Sequence, residues 1–211
     1  MSREISEAAE IAAAADSLLI NIGTPEENAA ELYRAAARAA TEKGRPIVLD
    51  LVGFGFTKFR TEAAKKLLAE FHFAVIKGNE AEIAALCGVT APRGVSCEGE
   101  IADVMDIVSA CAKRYNCTVY STGEHDHLSD GTKCKVVTGG SAMLSGTSGS
   151  GCALGSATAL FCARETPFSA ALRALSIFRE SAQEAAKDAK GTYSFRIRFM
   201  DGLARRAPVY N

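Results

Sequence analysis

The sequence Ser148-Gly149-Ser150-Gly151-Cys152 is a glycine-rich turn between a strand-like run, Lys135-Val136-Val137, and an apolar, alanine-rich run over residues 153–163. Glycine lets a backbone turn tightly and approach a ligand closely. The apolar run predicts a helix, whose first N–H groups lack acceptors within the helix and attract anions. A loop without a ligand would use the same residue types, so the turn by itself leaves both interpretations open.

Strand-like and helix-like runs alternate along the chain before this turn. Continuous apolar runs predict buried strands over residues 17–22, 46–50, 73–77 and 117–121. Runs of helix formers predict helices over residues 3–15, 25–43, 61–70 and 100–114, with a loop over 88–98. The second of these helices would have Thr24 as its N-cap and Pro25 at its first position.

After residue 122 the pattern predicts the edge of a sheet and then helices alone. Ser129-Asp130-Gly131-Thr132 is a hairpin signal, which predicts an antiparallel edge. Three helical runs follow the glycine turn, over residues 151–164, 168–189 and 193–206. With neither a repeat nor a linker, this order predicts a single domain over residues 1–211, of the α/β class, with three layers and a mostly parallel central sheet.

Polar residues stand where the strands of this sheet should end. Asp50 ends the second predicted strand and precedes a glycine-punctuated loop, and loops at the carboxyl ends of strands form the ligand crevice in open α/β sheets. After the third strand, the Asn79 side chain can cap the next helix. Glu82, one turn later, either completes a capping box or faces the crevice.

Composition excludes several classes of protein. With 23% charged residues and a formal net charge of −1, the chain has no electrostatic signature of nucleic-acid binding. Its seven cysteines include no C-x-x-C pair, which favours free thiols in a reducing compartment. No apolar run approaches the roughly 20 residues of a membrane span, so we expect a cytoplasmic protein. His125-Asp126-His127 is interpreted as exposed turn chemistry rather than as a metal site.

Five motifs occur together in the order and spacing of the hydroxyethylthiazole kinase family. They are Ile20-Asn21-Ile22-Gly23-Thr24, Val48-Leu49-Asp50 with its glycine loop, Ile76-Lys77-Gly78-Asn79-Glu80-Ala81-Glu82-Ile83, Thr122-Gly123-Glu124 and Gly149-Ser150-Gly151-Cys152. Each motif alone is weak, whereas five in register are strong. The chain resembles this family over nearly its whole length, which implies an α/β/α ribokinase-like fold.

The resemblance implies transfer of the γ-phosphoryl group of ATP, with Mg²⁺, to the alcohol of 5-(2-hydroxyethyl)-4-methylthiazole in thiamine salvage. Such a transfer needs positioning, neutralisation of charge and a group that accepts the hydroxyl proton. The glycine turn can supply backbone N–H groups to the developing charge.

The resemblance also implies roles for individual residues. Cys152 stands where many ribokinase-like relatives carry a catalytic aspartate, and a thiol at a helix N-terminus has a lowered pKa and could act as a base. Asp50 and Glu82 would organise Mg²⁺ and phosphate oxygens, directly or through water. The remaining implied contacts are Gly149 and Gly151 for catalysis, Met1 and Gly149 for the alcohol, and Lys77, Asn79 and Thr122 for ATP.

Some positions depart from the family pattern. Lys77 replaces a common ATP-binding arginine and so lacks the planar, bidentate fork. Leu51 replaces a proline, and Phe54 and Phe56 replace small residues of the loop. The two phenyl rings could narrow the phosphate site, or they could pack outward against a neighbouring subunit or helix.

The front of the chain differs most from the family. Family members begin with about 40–45 further residues, the size of one βαβ segment, so an N-terminally truncated domain is expected. The resemblance implies a homotrimer with active sites at subunit interfaces, and the earlier segment forms one wall of the thiazole pocket. Two alternatives therefore stay open: a catalytically impaired nucleotide-binding or oligomeric scaffold, and a kinase of another small heterocyclic alcohol.

Two further enzyme classes fit the sequence less well. A dinucleotide-binding enzyme is disfavoured because Leu154 occupies the last glycine position of G-x-G-x-x-G. A cysteine hydrolase using Cys152 would need a histidine base, and neither His125 nor His127 belongs to a recognisable pattern.

Overall fold

The computed structural model describes residues 4–23, 25, 28–89 and 104–207, which form one sheet with helices on both faces. Its strands are β1 Leu18–Asn21, β2 Ile47–Asp50, β3 Val75–Asn79, β4 Thr118–Thr122, β5 Asp126–Ser129 and β6 Cys134–Val137. Its α-helices are α1 Ile5–Ala14, α2 Ala29–Glu42, α3 Lys58–Glu70, α4 Glu80–Cys87, α5 Val104–Tyr115, α6 Ser150–Cys162, α7 Pro167–Lys187 and α8 Thr192–Arg206.

The sheet has the order β1-β2-β3-β4-β5-β6, in which β1 to β4 are parallel and β5 and β6 are antiparallel. Helices cross over between the parallel strands, as the alternation of runs predicted. The hairpin signal at 129–132 lies between β5 and β6, so the predicted antiparallel edge is confirmed.

Side chains that alternate along each strand build two separate cores. Leu49 and Ile76 belong to the cluster that packs against α2 to α5. Val48 and Val75, their neighbours along the same strands, belong to the cluster that packs against α6 to α8. Because successive residues of a strand point to opposite faces, continuous apolar runs are needed where both faces are covered. The predicted three-layer α/β/α arrangement is confirmed.

The start of α2 differs from the prediction. The helix begins at Ala29, after Asn28, and Pro25 is not helical. Ala29 is also the first residue of α2 that is buried, so the helix starts where its packed face starts rather than at the turn signals before it. Met1, Thr24 and residues 90–103 lie outside the described residues, and parts of the predicted loop over 88–98 and of the predicted helix over 100–114 fall on them.

None of the helices in the described ranges has the length and apolar character needed to cross a membrane.

Candidate active site

The last three residues of the glycine turn, 150–152, form the start of α6. Gly149 has a φ of +85°, a left-handed conformation that disfavours residues with a Cβ atom, and Ser150 begins the helix. Ser150 and Gly151 line a cavity of about 810 Å³. The first N–H groups of α6 lack intrahelical acceptors, so this end of the helix favours a negatively charged ligand.

The cavity is walled by the carboxyl ends of β3 and β4, the loop after β6, the start of α6 and part of α7. Asn79 and Thr122 are paired neighbours at the ends of β3 and β4, and both line it. Leu144, Leu154 and Phe178 supply an apolar wall. The cavity therefore combines an apolar surface, polar strand ends and a helix N-terminus, a combination typical of a site for a nucleotide.

A row of three polar side chains lies across the ends of three parallel strands. Asn21 pairs with Asp50, and Asp50 pairs with Lys77, in the register of the sheet. Because they alternate with residues of the other face, all three lie on the face that α6 covers. Lys77 Nζ lies 2.8 Å from Asp50 Oδ2, and Asn21 Nδ2 donates to the same oxygen at 2.8 Å.

This ion pair is almost completely buried, with 5% of the Lys77 side chain and 1% of the Asp50 side chain exposed. Burial raises the pKa of Asp50, although the ammonium of Lys77 and the amide of Asn21 favour the charged carboxylate. A Cβ atom placed on Gly155 would lie 3.5 Å from Asp50 Oδ2, and one on Gly151 would lie 4.0 Å from Lys77 Nζ. The first turns of α6 therefore lie directly over the pair.

Cys152 lies in the first turn of α6 and is exposed. Asn21 Nδ2 lies 3.6 Å from Cys152 Sγ, while Asn21 Oδ1 accepts a hydrogen bond of 2.8 Å from the N–H of Gly23. Asn21 therefore connects the thiol, the buried ion pair and the loop after β1, and the sequence interpretation did not single it out.

Glu82 completes the capping box at the start of α4. Its Oε2 accepts the N–H of Asn79 at 2.7 Å, and Asn79 Oδ1 accepts the N–H of Glu82 at 2.8 Å. Its other oxygen accepts the N–H of Gly53 at 2.7 Å, which joins α4 to the glycine loop after β2. Burial raises the pKa of Glu82, the two N–H donors oppose that rise, and the nearby charge of Asp50 adds to it.

The carboxylates do not form a ready metal cage. Within the described residues, no group of three or more His, Cys, Asp or Glu side chains is placed to hold a metal ion. Asp50 Oδ2 already has two donors, whereas each oxygen of Glu82 accepts one N–H and has a second acceptor position. Glu82 therefore suits a metal that is held through its water molecules, as Mg²⁺ commonly is.

The two phenylalanines of the glycine loop separate. Phe54 is 5% exposed and packs into the core beneath α2 to α5, whereas Phe56 is 78% exposed. Both border a second cavity of about 590 Å³, which also contacts Gly53 and Glu82. Of the two rings of this loop, one therefore packs inward and the other points outward.

The interpretation of His125-Asp126-His127 as exposed turn chemistry is wrong at His127, which lies half-buried in β5, and at Asp126. Asp126 begins β5, is 1% exposed and forms a bidentate ion pair with Arg179 of α7. A buried carboxylate needs such a partner, and the partner lies 53 residues away in the sequence. The only sequence signal for this ion pair was an aspartate next to a strand-like run.

The chain resembles proteins of known family and structure. A sequence profile of the hydroxyethylthiazole kinase family matches residues 1–207. The hydroxyethylthiazole kinase of Desulfatibacillum aliphaticivorans is 39% identical over 205 residues, which are 96% of this chain and 76% of that protein. The structure of the hydroxyethylthiazole kinase protein from Pyrococcus horikoshii OT3 matches with a TM-score of 0.88 at 35% identity, over 97% of this chain and 77% of that one.

The likeness in fold extends further. A ribokinase-like superfamily protein from Enterococcus faecalis V583 matches with a TM-score of 0.66 at 14% identity, over 96% of this chain and 67% of that one. The sheet and its covering helices therefore have the ribokinase-like α/β/α arrangement.

Proposed function

The chain belongs to the hydroxyethylthiazole kinase family, and from this we infer that it transfers the γ-phosphoryl group of ATP to the hydroxyl of 5-(2-hydroxyethyl)-4-methylthiazole in thiamine metabolism. The convergence of Asn79, Thr122 and the N-terminus of α6 on one cavity supports this inference. These residues come from three distant parts of the chain, and each offers a group that suits a nucleotide.

We propose that the phosphates of ATP lie at the start of α6. The unpaired N–H groups of this helix favour anions, and Gly149 and Gly151 leave room for phosphate oxygens to approach the backbone. Lys77 adds a positive charge directly beneath the first turn. Asn79 and Thr122 would contact the nucleotide from the strand ends.

In this proposal Lys77 acts as a point charge rather than as a fork. Arginine can bind two phosphate oxygens at once, whereas an ammonium has no fixed plane. Asp50 compensates by holding Nζ at 2.8 Å, so the charge stays in place when the nucleotide is absent. Pre-arranged charge of this kind lowers the cost of reorganisation during phosphoryl transfer.

Cys152 is proposed as the acceptor of the hydroxyl proton. The alcohol oxygen attacks the γ-phosphorus, its proton passes to Sγ, and the bond from the γ-phosphorus to the bridging oxygen breaks, so that ADP leaves. The amide of Asn21 donates toward Sγ at 3.6 Å, which keeps the sulfur beside the end of β1. Gly149 and Met1 would contact the alcohol, although Met1 lies outside the described residues.

Mg²⁺ bound with ATP would neutralise charge on the phosphates. We propose that Glu82 holds water molecules of this ion through the second acceptor position of each oxygen. Asp50, whose Oδ2 is occupied by Lys77 and Asn21, would act on the ion from its other oxygen, through water.

Release of ADP by the chain with Mg·ATP and hydroxyethylthiazole tests the inference. We expect turnover that depends on the alcohol and that falls at least about 100-fold in Cys152→Ala, the usual effect of removing a general base. Cys134→Ala, which changes an exposed cysteine on β6, is the matched control and should keep full activity. A folded chain that binds ATP but releases no ADP would contradict the kinase inference and favour a scaffold.

Two further results would refine or contradict the assignment. Faster turnover with another hydroxyalkyl heterocycle would identify a different acceptor. Cys152→Asp should regain part of the activity and move the acidic limb of the kcat/KM profile to lower pH, since carboxyl groups ordinarily titrate about four units below thiols. An unmoved limb would exclude residue 152 as the base.

We also propose, from the family resemblance, a homotrimer with active sites at subunit interfaces. Exposed apolar side chains at Ile11, Phe56 and Phe59 offer surface for contact between subunits. Light scattering during size exclusion should give three times the 22.2 kDa mass of the chain. A monomer at enzyme-assay concentrations would contradict the proposal.

A further inference from the structure

All five N–H donors of Arg179 are used by acceptors of the protein itself. Nε donates to Asp126 Oδ2 at 2.6 Å, and Nη2 donates to Asp126 Oδ1. Nη1 donates to the carbonyl oxygens of Glu124 and Gly139, each at 3.0 Å, and Nη2 donates to that of Gly123 at 2.8 Å. A guanidinium has five N–H donors, so none remains for a ligand.

The three carbonyl acceptors of Arg179 belong to two loops that wall the 810 Å³ cavity. Gly123 and Glu124 follow β4 directly after Thr122, and Gly139 belongs to the loop after β6. The next residue, Gly140, has a φ of +88°, and a Cβ atom placed there would lie 2.9 Å from Arg179 Cδ. The second loop therefore packs against the arginine stem as well as bonding to its head.

We propose that Arg179 is a positioning residue for the nucleotide. It binds no nucleotide atom by hydrogen bonds, and it acts by holding the two loops at the separation that ATP requires. This inference rests on the proposed ATP site, because the cavity that the loops enclose is the one assigned to ATP. Asp126, which is 1% exposed, holds the guanidinium in place through its carboxylate.

The positive charge of Arg179 is not enough for this role, because the planar spread of its donors is what reaches both loops. A lysine would keep a cation beside Asp126. Its three N–H donors all belong to one nitrogen, however, so they cannot reach acceptors on both loops. Freed carbonyl groups at the cavity wall would turn toward water and move the loops. Small displacements of a binding wall reduce binding and rate by large factors.

The test compares Arg179→Lys and Arg179→Met with Arg173→Met, in the full chain. Arg173 lies on the same helix and forms an exposed pair with Glu165, so it controls for loss of a charge from α7. We expect KM for ATP and the dissociation constant of ADP, measured by calorimetry, to rise about tenfold in both Arg179 variants. KM for the alcohol should change less than twofold, and Arg173→Met should match the wild type.

A merely structural role would give a different pattern. In that case kcat would fall with the folded fraction while KM for ATP and ADP affinity stayed at wild-type values, and this result would overturn the proposal. If Arg179→Met does not fold, Arg179→Lys decides, since it keeps the charge opposite Asp126. Failure of the kinase inference is distinguishable, because wild-type chain would then lack alcohol-dependent turnover while ADP affinity still tests Arg179.

Discussion

Replacing Lys77 with methionine should show how much the buried Lys77–Asp50 ion pair of the candidate site contributes to the stability of the fold. Methionine has a similar length and no charge, so it fills the same space beneath α6. Asp50 would then be a buried carboxyl, 1% exposed, that has lost its positively charged partner. Removing one member of a buried pair costs about 3–5 kcal/mol, mostly because the other charge is left uncompensated.

The expected loss depends on pH, and its sign follows from the pKa of Asp50. Burial already raises this pKa, and Lys77 is the largest influence against that rise, so the substitution raises it further. A carboxyl with a raised pKa in the folded state is destabilising above its unfolded pKa, which is about 3.9. At pH 7, protonating the Asp50 carboxyl costs about 4 kcal/mol, which is the upper limit of the loss in free energy of unfolding. Below about pH 4 the carboxyl is mostly protonated in both states, so this loss disappears.

Urea unfolding at pH 5 and pH 7, followed by circular dichroism, measures this difference. We expect the loss relative to wild type to be greater at pH 7 by about 2 kcal/mol. Asp50→Asn/Lys77→Met should recover most of the stability, because no charge is then buried. Arg34→Met, which removes an exposed pair with Glu70, is the control and should show a small loss that is the same at both pH values. Equal losses at both pH values in Lys77→Met would refute the reasoning, as would a double variant no more stable than the single one.

Three other changes test neighbouring features. Glu82→Gln should lower the free energy of unfolding by about 1–3 kcal/mol, because its amide nitrogen cannot accept an N–H, and should raise the Mg²⁺ concentration needed for half-maximal rate; an unchanged Mg²⁺ dependence would contradict the assignment. Gly149→Ala should cost about 1–2 kcal/mol in denaturant titrations through its φ of +85° alone, since the added Cβ atom would contact nothing within 4 Å. A disulfide reagent at pH 7.5 should modify Cys134 and Cys152 in the native chain, with Mg·ATP protecting Cys152. Burial raises the pKa of Cys117 to about 12, so Cys117 should react only after unfolding, and rapid native labelling there would contradict its burial.

Much of the fold was predictable because its signals are local. The strands β1 to β4 lie within two residues of the predicted runs, and the hairpin lies at its turn signal. The capping box of Asn79 and Glu82 was predictable for the same reason, since its partners are three residues apart. The start of α2 was missed because turn residues near 25 resemble a helix start, while packing at Ala29 decides where the helix begins.

The sequence predicted candidate site residues one by one, but not the contacts among them. Asp50, Lys77 and Cys152 were expected to act separately on metal, ATP and proton. The structure instead joins Asp50 to Lys77 and joins Asn21 to both Asp50 and Cys152. The register of three parallel strands produces this row, and no short stretch of sequence contains that register.

The sequence by itself determined which segments are strands and helices and where a glycine turn meets a helix start. These properties follow from the repeat of residue types over a few positions. Only the tertiary structure decided that Lys77 is paired with Asp50 and that Arg179 of α7 holds two loops together through Asp126. Such contacts depend on how the strands align and how the helices pack on the sheet. The free energy that stabilises this packing comes from both apolar cores rather than from the polar residues that form the contacts.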